Sequence, residues 1–282
     1  MITRFAPSPT GPLHLGHAYS ALLAHDMAMA AGGTFLLRIE DTDTARCRPA
    51  YATAILDDLT WLGLTWAQPV LRQSDHLPRY AAALTRLTDL GLCYACICSR
   101  SDIQSALSAP QEGVTHLPCD GAVYPGTCRH RGLPVTGTAA IRLNLDQALA
   151  HLTPVSDYRF HETGPFGFGQ HRLDPRPLRR DVGDVVLARR DIGTAAYHLS
   201  VVVDDALQGV THVVRGMDLF AATPIHRILQ ALLEFHTPSY YHHRLIRDDN
   251  GKRLAKRDDA KSIAKFRAEG ATPADIRAMV GL

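Results

Sequence analysis

A chain of 282 residues has room for one large domain or two modest ones and can bury roughly three quarters of its unfolded surface. Its 46% hydrophobic and 21% charged residues are those of a folded protein, which excludes a disordered or fibrous one. Thirty basic against 28 acidic side chains leave +2, so local rather than overall charge must decide whether a polyanion binds.

The first residues, Met1 to Phe5, carry no basic segment ahead of a long apolar run; no secretory signal is visible, and the expected location is the cytoplasm. Ile2 to Ala6 and Thr34 to Ile39 read as short strands, with His17 to Ala31, rich in Ala, Leu and Met, as a helix between them. The apolar stretch Ala18 to Ala31 includes His25 and Asp26 and is shorter than the ~20 residues of a spanning helix, so no membrane partner is expected. Ala52, Ile55, Leu56, Leu59 and Leu62 recur at three- and four-residue steps, as one buried helix face does, and Tyr80 to Leu90 repeats the habit. Alternating strands and helices predict an α/β fold with a mostly parallel sheet, whose first half occupies residues 1–94.

From about Cys93 to Pro177 five of the six cysteines and many Pro and Gly replace this pattern, which reads as an inserted subdomain over 95–183. After Asp184 the alternation returns. Val185 to Ala188 and Val210 to Val214 read as strands, Ala195 to Leu207 and Pro224 to Phe235 as helices, placing the second half of the sheet in 184–282 with a short C-terminal tail. Arg244 to Arg267 hold nine Lys or Arg and four Asp, a local +5.

Pro7 to His17 leads from the first strand into the first helix. Its Pro and Gly fix a turn, and the helix start offers unpaired N–H groups and a partial positive charge that suit a phosphate. His14 and His17 stand three apart at that mouth, able to donate hydrogen bonds to a phosphoryl group as charge grows on it, and Gly16 leaves space for a flat base. The plainer alternative is that the two histidines only cap the helix. Lys256, in the basic stretch Lys252 to Arg257, is a cation able to hold departing pyrophosphate.

Six cysteines are too few for a disulfide framework, so their clustering matters more than their number. Cys96 and Cys98, then Cys128, offer three thiolates in two short knuckles able to close a tetrahedral Zn2+ site around a subdomain with little core of its own. By chemistry alone the fourth ligand is Cys119, His116 or His130, and Cys93 competes as a partner of Cys96. Unmetallated thiols are the alternative.

Arg4 to Gly11 with His14 to His17, Arg38-Ile39-Glu40-Asp41-Thr42-Asp43, Tyr197-His198-Leu199 ahead of Val203-Asp204-Asp205, Gly209-Val210-Thr211 and Arg215 together resemble the catalytic domain of class I glutamyl-tRNA synthetases, from residue 2 to about residue 257. The resemblance implies a Rossmann-type domain that activates L-glutamate with ATP and Mg2+. Pro7, His14, Gly16, His17 and Lys256 match its ATP contacts, and His14, His17 and Lys256 its catalytic groups. Glutamate carries two carboxylates and one ammonium, so its pocket needs about two cationic or hydroxyl partners and one carboxylate. Arg4, Ala6, Ser8, Glu40, Tyr197 and Arg215 resemble the family's glutamate contacts: Glu40 for the ammonium, Arg4, Tyr197 and Arg215 for the carboxylates. Glutamine-specific relatives differ at the second strand, with a shorter acid and an Asn. The lysine stretch departs from the family's K-M-S-K-S form, with Arg253 for the first Lys and Ala255 for the Ser.

In the glutamyl-queuosine branch of the family, C-x-C followed by Y-x-x-x-C binds a structural zinc, and Cys96, Cys98, Tyr124 and Cys128 fit it. Ordinary members continue into a helical anticodon-binding region, whereas this chain ends 26 residues after Lys256. The branch implies a monomeric, cytoplasmic ligase without an anticodon-binding domain that joins glutamate to the queuosine base in the anticodon of tRNA(Asp), with activation not requiring tRNA. Arg176, Arg179, Arg180, Arg189, Arg190, Lys252 and Arg257 are the candidates for phosphate-backbone contacts. A minimal synthetase acting at the tRNA 3′ end and a non-catalytic tRNA-binding paralogue are the competing readings.

Overall fold

The computed structural model describes residues 1–99, 101–104, 123–135, 139–190, 194–247 and 261–282. Strand β1 (Ile2–Phe5) runs parallel to β2 (Thr34–Ile39), with Ile2 opposite Thr34. Parallel neighbours need a long crossover, and helix α1 (Leu15–Ala30) supplies it. Ala18, Ala21, Ala24 and Ala28 are fully buried on this helix, so its backbone sits close to the sheet and the Thr3 hydroxyl donates to the Ala24 carbonyl at 2.7 Å. Helix α2 (Pro49–Trp61) leads to β3 (Ala67–Arg72), parallel to β2, and α3 (Leu77–Asp89) follows. Proline opens α2 and sits in the first turn of α3, where its missing N–H costs little.

β4 (Cys93–Cys96) pairs antiparallel with β5 (Ala140–Leu143), which continues into α4 (Leu145–His151). The hairpin β6 (Arg159–Glu162) and β7 (Gly169–Arg172) comes next, then β8 (Val186–Ala188), α5 (Tyr197–Leu207), β9 (His212–Gly216), α6 (Thr223–Leu232) and β10 (Ser239–His243). β9, β10 and β6 are mutually parallel neighbours and β7 closes the edge antiparallel. Thr211 N–H donates to the Ile2 carbonyl at 3.0 Å, so β9 lies beside β1 and the two sheets meet in the order β3-β2-β1, β9-β10-β6-β7.

The strands and helices expected before Cys93 and after Asp184 are present, with two differences. β8 pairs antiparallel with β5 rather than joining the parallel sheet, because Leu143 N–H already donates to the Val185 carbonyl and draws the strand to that side. The segment expected as a tail forms two packed helices, α7 (Ile263–Ala268) and α8 (Pro273–Val280). Ile263, Ile276 and Val280 are fully buried in the core of β1, β2, α1 and α2, each contributing on the order of 1.5–3 kcal/mol by leaving water. Arg277 pairs with Asp26 of α1 at 2.7 Å, and Ile263 N–H donates to the Leu13 carbonyl at 2.9 Å beside an antiparallel bridge between His14 and Ser262.

A second core joins α3, α5 and α6 through Leu87, Leu199, Val202, Ile228 and Leu229. Among the described residues no helix is long and apolar enough to cross a membrane.

Candidate active site and metal centre

In an open α/β sheet ligands settle beyond the carboxyl ends of the strands, where the chain order reverses. That place here is the seam between β1 and β9, and a cavity of about 400 Å³ opens there. Arg4, Ala6, His14, Gly16, His17, Glu40, Tyr197 and Arg215, all singled out from the sequence, line it together with Ser20, Asp218 and His243. Two expected residues lie outside the wall. Pro7 is buried beneath it, its carbonyl accepting Glu40 N–H at 3.1 Å, and Ser8 is exposed, its carbonyl accepting Thr10 N–H at 2.8 Å. Lys252, Arg253, Ala255, Lys256 and Arg257 lie outside the described residues.

The two histidines do cap the helix. His14 Nδ1 accepts Gly16 N–H at 3.1 Å, and His17 Nδ1 accepts His14 N–H at 3.2 Å, a reciprocal box at the start of α1. A neutral ring whose Nδ1 accepts carries its proton on Nε2. Both rings, 3.8 Å apart, line the cavity. A Cβ at position 16 would stand 3.1 Å from the His14 ring, so glycine keeps this pair undisturbed.

The charges at the opposite end form a buried ladder. Arg4 Nε meets Asp205 at 3.0 Å; Arg38 meets Asp205 at 2.8 Å, Glu40 at 3.3 Å and Asp204 at 3.7 Å. Gln73 and the Tyr80 hydroxyl each donate to Asp204 at 2.8 Å. Arg38 is fully buried; burial works against its charge, but Asp205, Glu40 and Asp204 outweigh it and hold the guanidinium protonated. Burial raises the Glu40 carboxyl, opposed by Arg38 and Arg4, so a bound ammonium would add the countercharge that favours the carboxylate.

Arg215 is held by a network that the sequence reading missed. Glu162 Oε2 accepts the His242 Nδ1 proton at 2.5 Å, which leaves His242 Nε2 to accept Arg215 Nε–H at 3.1 Å. His226 Nδ1 accepts from Arg215 Nη1 at 3.1 Å, and its Nε2 meets His198 at 3.1 Å. Arg215 Nη2 donates to Thr223 and the Leu219 carbonyl. Among the described residues these bonds occupy four of the five guanidinium protons, so Arg215 is fixed in position with one Nη1 proton remaining. Burial and then the Arg215 charge lower His242 to about 4 and hold His226 well below the ordinary imidazole value, which keeps both rings neutral acceptors.

Away from the cavity, the sulfurs of Cys96, Cys98 and Cys128 lie within 4.8 Å of one another. The Tyr124 hydroxyl stands 3.4 Å from Cys96 Sγ and 3.5 Å from Cys98 Sγ, so all four residues of the expected set converge. Burial works to raise the Cys128 thiol, but hydrogen bonds with Tyr124, the Ile97 backbone, Cys98 and Arg131 outweigh it and bring it down to about 6. The Arg142 guanidinium lies 3.8 Å over the Tyr124 ring. Three soft sulfurs and one oxygen beside two arginines fit a closed tetrahedral zinc site. His130 is exposed and Cys93 stands outside the cluster; Cys119 and His116 lie outside the described residues.

Three of the arginines proposed for phosphate contact already have acidic partners: Arg179 meets Asp146 at 2.7 Å, Arg180 meets Asp181 at 2.7 Å and Arg189 meets Asp43 at 3.0 Å. Arg190 donates to the Ile97 carbonyl, and Arg176 is exposed.

A family model described as tRNA synthetases class I (E and Q), catalytic domain, matches residues 1–116 and 177–282. The chain belongs to this family of class I tRNA synthetases and is a ligase. Within the family it is 62% identical over 286 residues to a glutamyl-Q tRNA(Asp) synthetase of Rhodobacter capsulatus, covering 100% of both chains. The protein of the same name from Geobacter sulfurreducens is 42% identical over 268 residues, 95% of this chain and 79% of that one. The crystal structure of a glutamate tRNA ligase from Elizabethkingia meningosepticum, in complex with its amino acid, matches with a TM-score of 0.76 and 25% identity; the match covers 99% of this chain and 60% of that ligase.

Proposed function

We propose that this ligase activates glutamate with ATP, without needing tRNA, and transfers it to the queuosine base in the anticodon of tRNA(Asp), acting as a cytoplasmic monomer. The observation that carries the reading is the convergence of Arg4, His14, Gly16, His17, Glu40, Tyr197 and Arg215 on one cavity at the β1–β9 seam. The glutamyl-Q tRNA(Asp) synthetases at 62% and 42% identity support the acceptor.

Glu40 takes the substrate ammonium, while Arg4, Tyr197 and the remaining Arg215 proton share its carboxylates. One carboxylate oxygen attacks the α-phosphorus of ATP; the bond to the bridging oxygen breaks and pyrophosphate leaves. His14 and His17 donate through Nε2 to the phosphoryl oxygens as charge grows on them, so orientation and electrostatics supply the rate. Mg2+, when bound with ATP, neutralises part of the phosphate charge. Lys256 holds the departing pyrophosphate. A queuosine ring hydroxyl then attacks the carbonyl of the mixed anhydride, an ester forms and AMP is released. Cys96, Cys98, Tyr124 and Cys128 hold a structural zinc in the insertion, and no anticodon-binding domain is required because the acceptor base enters the catalytic cavity itself.

The test is transfer of labelled glutamate to tRNA(Asp) followed by nuclease mapping. Label in the anticodon nucleotide, absent from tRNA lacking queuosine, is expected; label on the 3′ terminal adenosine overturns the reading in favour of a minimal 3′-end synthetase. Glutamate-dependent ATP–pyrophosphate exchange without RNA is expected, and absolute dependence on tRNA would contradict tRNA-independent activation.

A further inference from the structure

The β6–β7 hairpin carries an exposed aromatic tip and two arginines that form no salt bridge among the described residues, a combination used by neither the cavity nor the metal cluster. Phe168 is 75% exposed and Phe166 39%, in the run Gly164 to Gly169. Scattered apolar side chains on a surface need no explanation. These two differ because the turn that presents them is braced. Gly167 and Gly169 have φ of +87° and +126°, which only glycine adopts readily. The Gly167 carbonyl bonds His171 Nε2 at 2.5 Å, and the His171 ring stacks on buried Phe160 at 4.9 Å. At the base of the turn a Cβ on Gly164 would lie 2.7 Å from the Glu162 carboxylate, so the chain can pass there only as glycine. Phe168 leans edge-on toward His161 at 6.1 Å, which leaves most of its surface to solvent.

Charge identifies the partner. Arg159 stands directly opposite Arg172 across the ladder, and both are exposed. Like charges facing each other across two strands are destabilising. Arg227 adds a third cation, its Nε donating to the Arg159 carbonyl at 2.8 Å. Among the described residues none of the three forms a salt bridge, whereas Arg179, Arg180 and Arg189 all do. A cationic face with a rigid aromatic beside it matches a single-stranded nucleic acid, whose phosphates neutralise the arginines while a base stacks on the ring. The tip lies against Phe220, the nearest side-chain atom of which stands 3.6 Å from the Cβ position of Gly167; Asp218 and Leu219, next in the same turn, line the cavity.

From this geometry we infer that the outer face of the β6–β7 hairpin is a docking surface for unpaired nucleotides of the RNA acceptor, with Phe168 stacking a base and Arg159 and Arg172 holding the flanking phosphates. The inference rests on the RNA acceptor proposed above. A bound loop would run from this face past Met217–Ala222 to the cavity. Bracing by the glycines and His171 means that little order has to be gained on binding.

Affinity is measured with a stem-loop RNA carrying the tRNA(Asp) anticodon, against Phe168→Ala, Phe168→Trp and Arg172→Gln, with RNA-free ATP–pyrophosphate exchange as the check on folding. Base stacking predicts about tenfold weaker binding for Phe168→Ala and near-native binding for Phe168→Trp. Arg172→Gln is expected to weaken binding about threefold and to reduce the slope of log affinity against log salt by about one. Unchanged affinity in Phe168→Ala overturns the platform, as does a contact that serves a protein partner instead of RNA, since the stem-loop would then bind all variants alike. The two ideas fail separately. Native transfer by Phe168→Ala removes the platform and leaves the queuosine reading intact; Phe168-dependent RNA binding by a protein that never acylates the anticodon does the reverse.

Discussion

The Glu162 carboxylate and the His242 ring meet at 2.5 Å although 80 residues separate them, and both side chains are fully buried. The contact sets which nitrogen of His242 faces Arg215. With Glu162 accepting at Nδ1, Nε2 presents a lone pair to the guanidinium. Glu162→Gln can turn an amide N–H toward Nδ1 and so reverse the tautomer, placing an N–H against Arg215 Nε–H. The expected outcome is a KM for glutamate raised at least tenfold in pyrophosphate exchange, with the KM for ATP changed less than twofold. Equal changes in both constants would show that Glu162 acts only on stability.

His17 tests whether the helix cap and the phosphate donor are separable. In His17→Asn the side-chain oxygen sits where Nδ1 was and keeps the cap, but nothing replaces Nε2–H. Exchange is expected to fall at least tenfold with little loss of melting temperature, whereas His17→Ala should lose the same activity and about 1 kcal/mol of stability as well. Near-native exchange by His17→Asn would exclude a donor role.

Two buried groups give the acid limb of stability opposite signs. His242 lies at about 4 when folded, because of burial first and the Arg215 charge second, against an ordinary 6.5. Between these values the unfolded chain binds a proton that the folded chain refuses. Stability is therefore complete above pH 6.5 and declines toward pH 4, by up to about 1.4 kcal/mol per pH unit. Burial raises Asp58 to about 6, opposed by Arg267, and its Oδ2 has no hydrogen-bond partner among the described residues. The folded chain holds that proton where the unfolded chain has lost it, so this contribution disappears as pH rises through 6. Asp58→Asn should raise the melting temperature at pH 7.5 by roughly 2–4 °C, about 1 kcal/mol, and steepen the loss on acidification. Calorimetry across pH 4 to 7.5 checks both.

Metal analysis of protein purified from zinc-supplemented medium should find about one zinc per chain, lost in Cys98→Ala. Chelation is expected to lower the melting temperature while leaving most of the RNA-free exchange in place, because the cluster lies outside the cavity wall. A zinc-free wild-type protein under those conditions would argue for plain thiols.

Much of the cavity is legible in the sequence because its residues sit at ends of periodic elements: Arg4 lies near the end of β1 and Ala6 just beyond it, His14 to His17 open α1, Glu40 follows β2 and Tyr197 begins α5. The network behind Arg215 is not. Glu162 enters from the hairpin, and His242 lies on β10, whose run Ser239-Tyr240-Tyr241-His242-His243 has neither apolar continuity nor clean alternation. Its polar side chains are buried because they bond one another, and pairwise complementarity across 80 residues leaves no local pattern. β3 escaped for a different reason. Its Ala67, Gln68 and Pro69 are exposed at a sheet edge, where little hydrophobic signal is required. The basic run Arg244 to Arg267 concealed the start of α7 because charge count says nothing about Ile263 and Phe266 facing the core.

The bridge from Ser262 to His14, with Ile263 bonded to Leu13, makes α7 and α8 part of the floor under the turn that carries the histidine pair. A premature stop before Ser262 would therefore not yield a smaller working ligase. It would strip Ile276 and Val280 from beneath α1, leave Asp26 without its arginine and release the histidine pair from the strand-like contact that steadies it, so that the damage would register first at the mouth of α1, more than two hundred positions upstream of the cut.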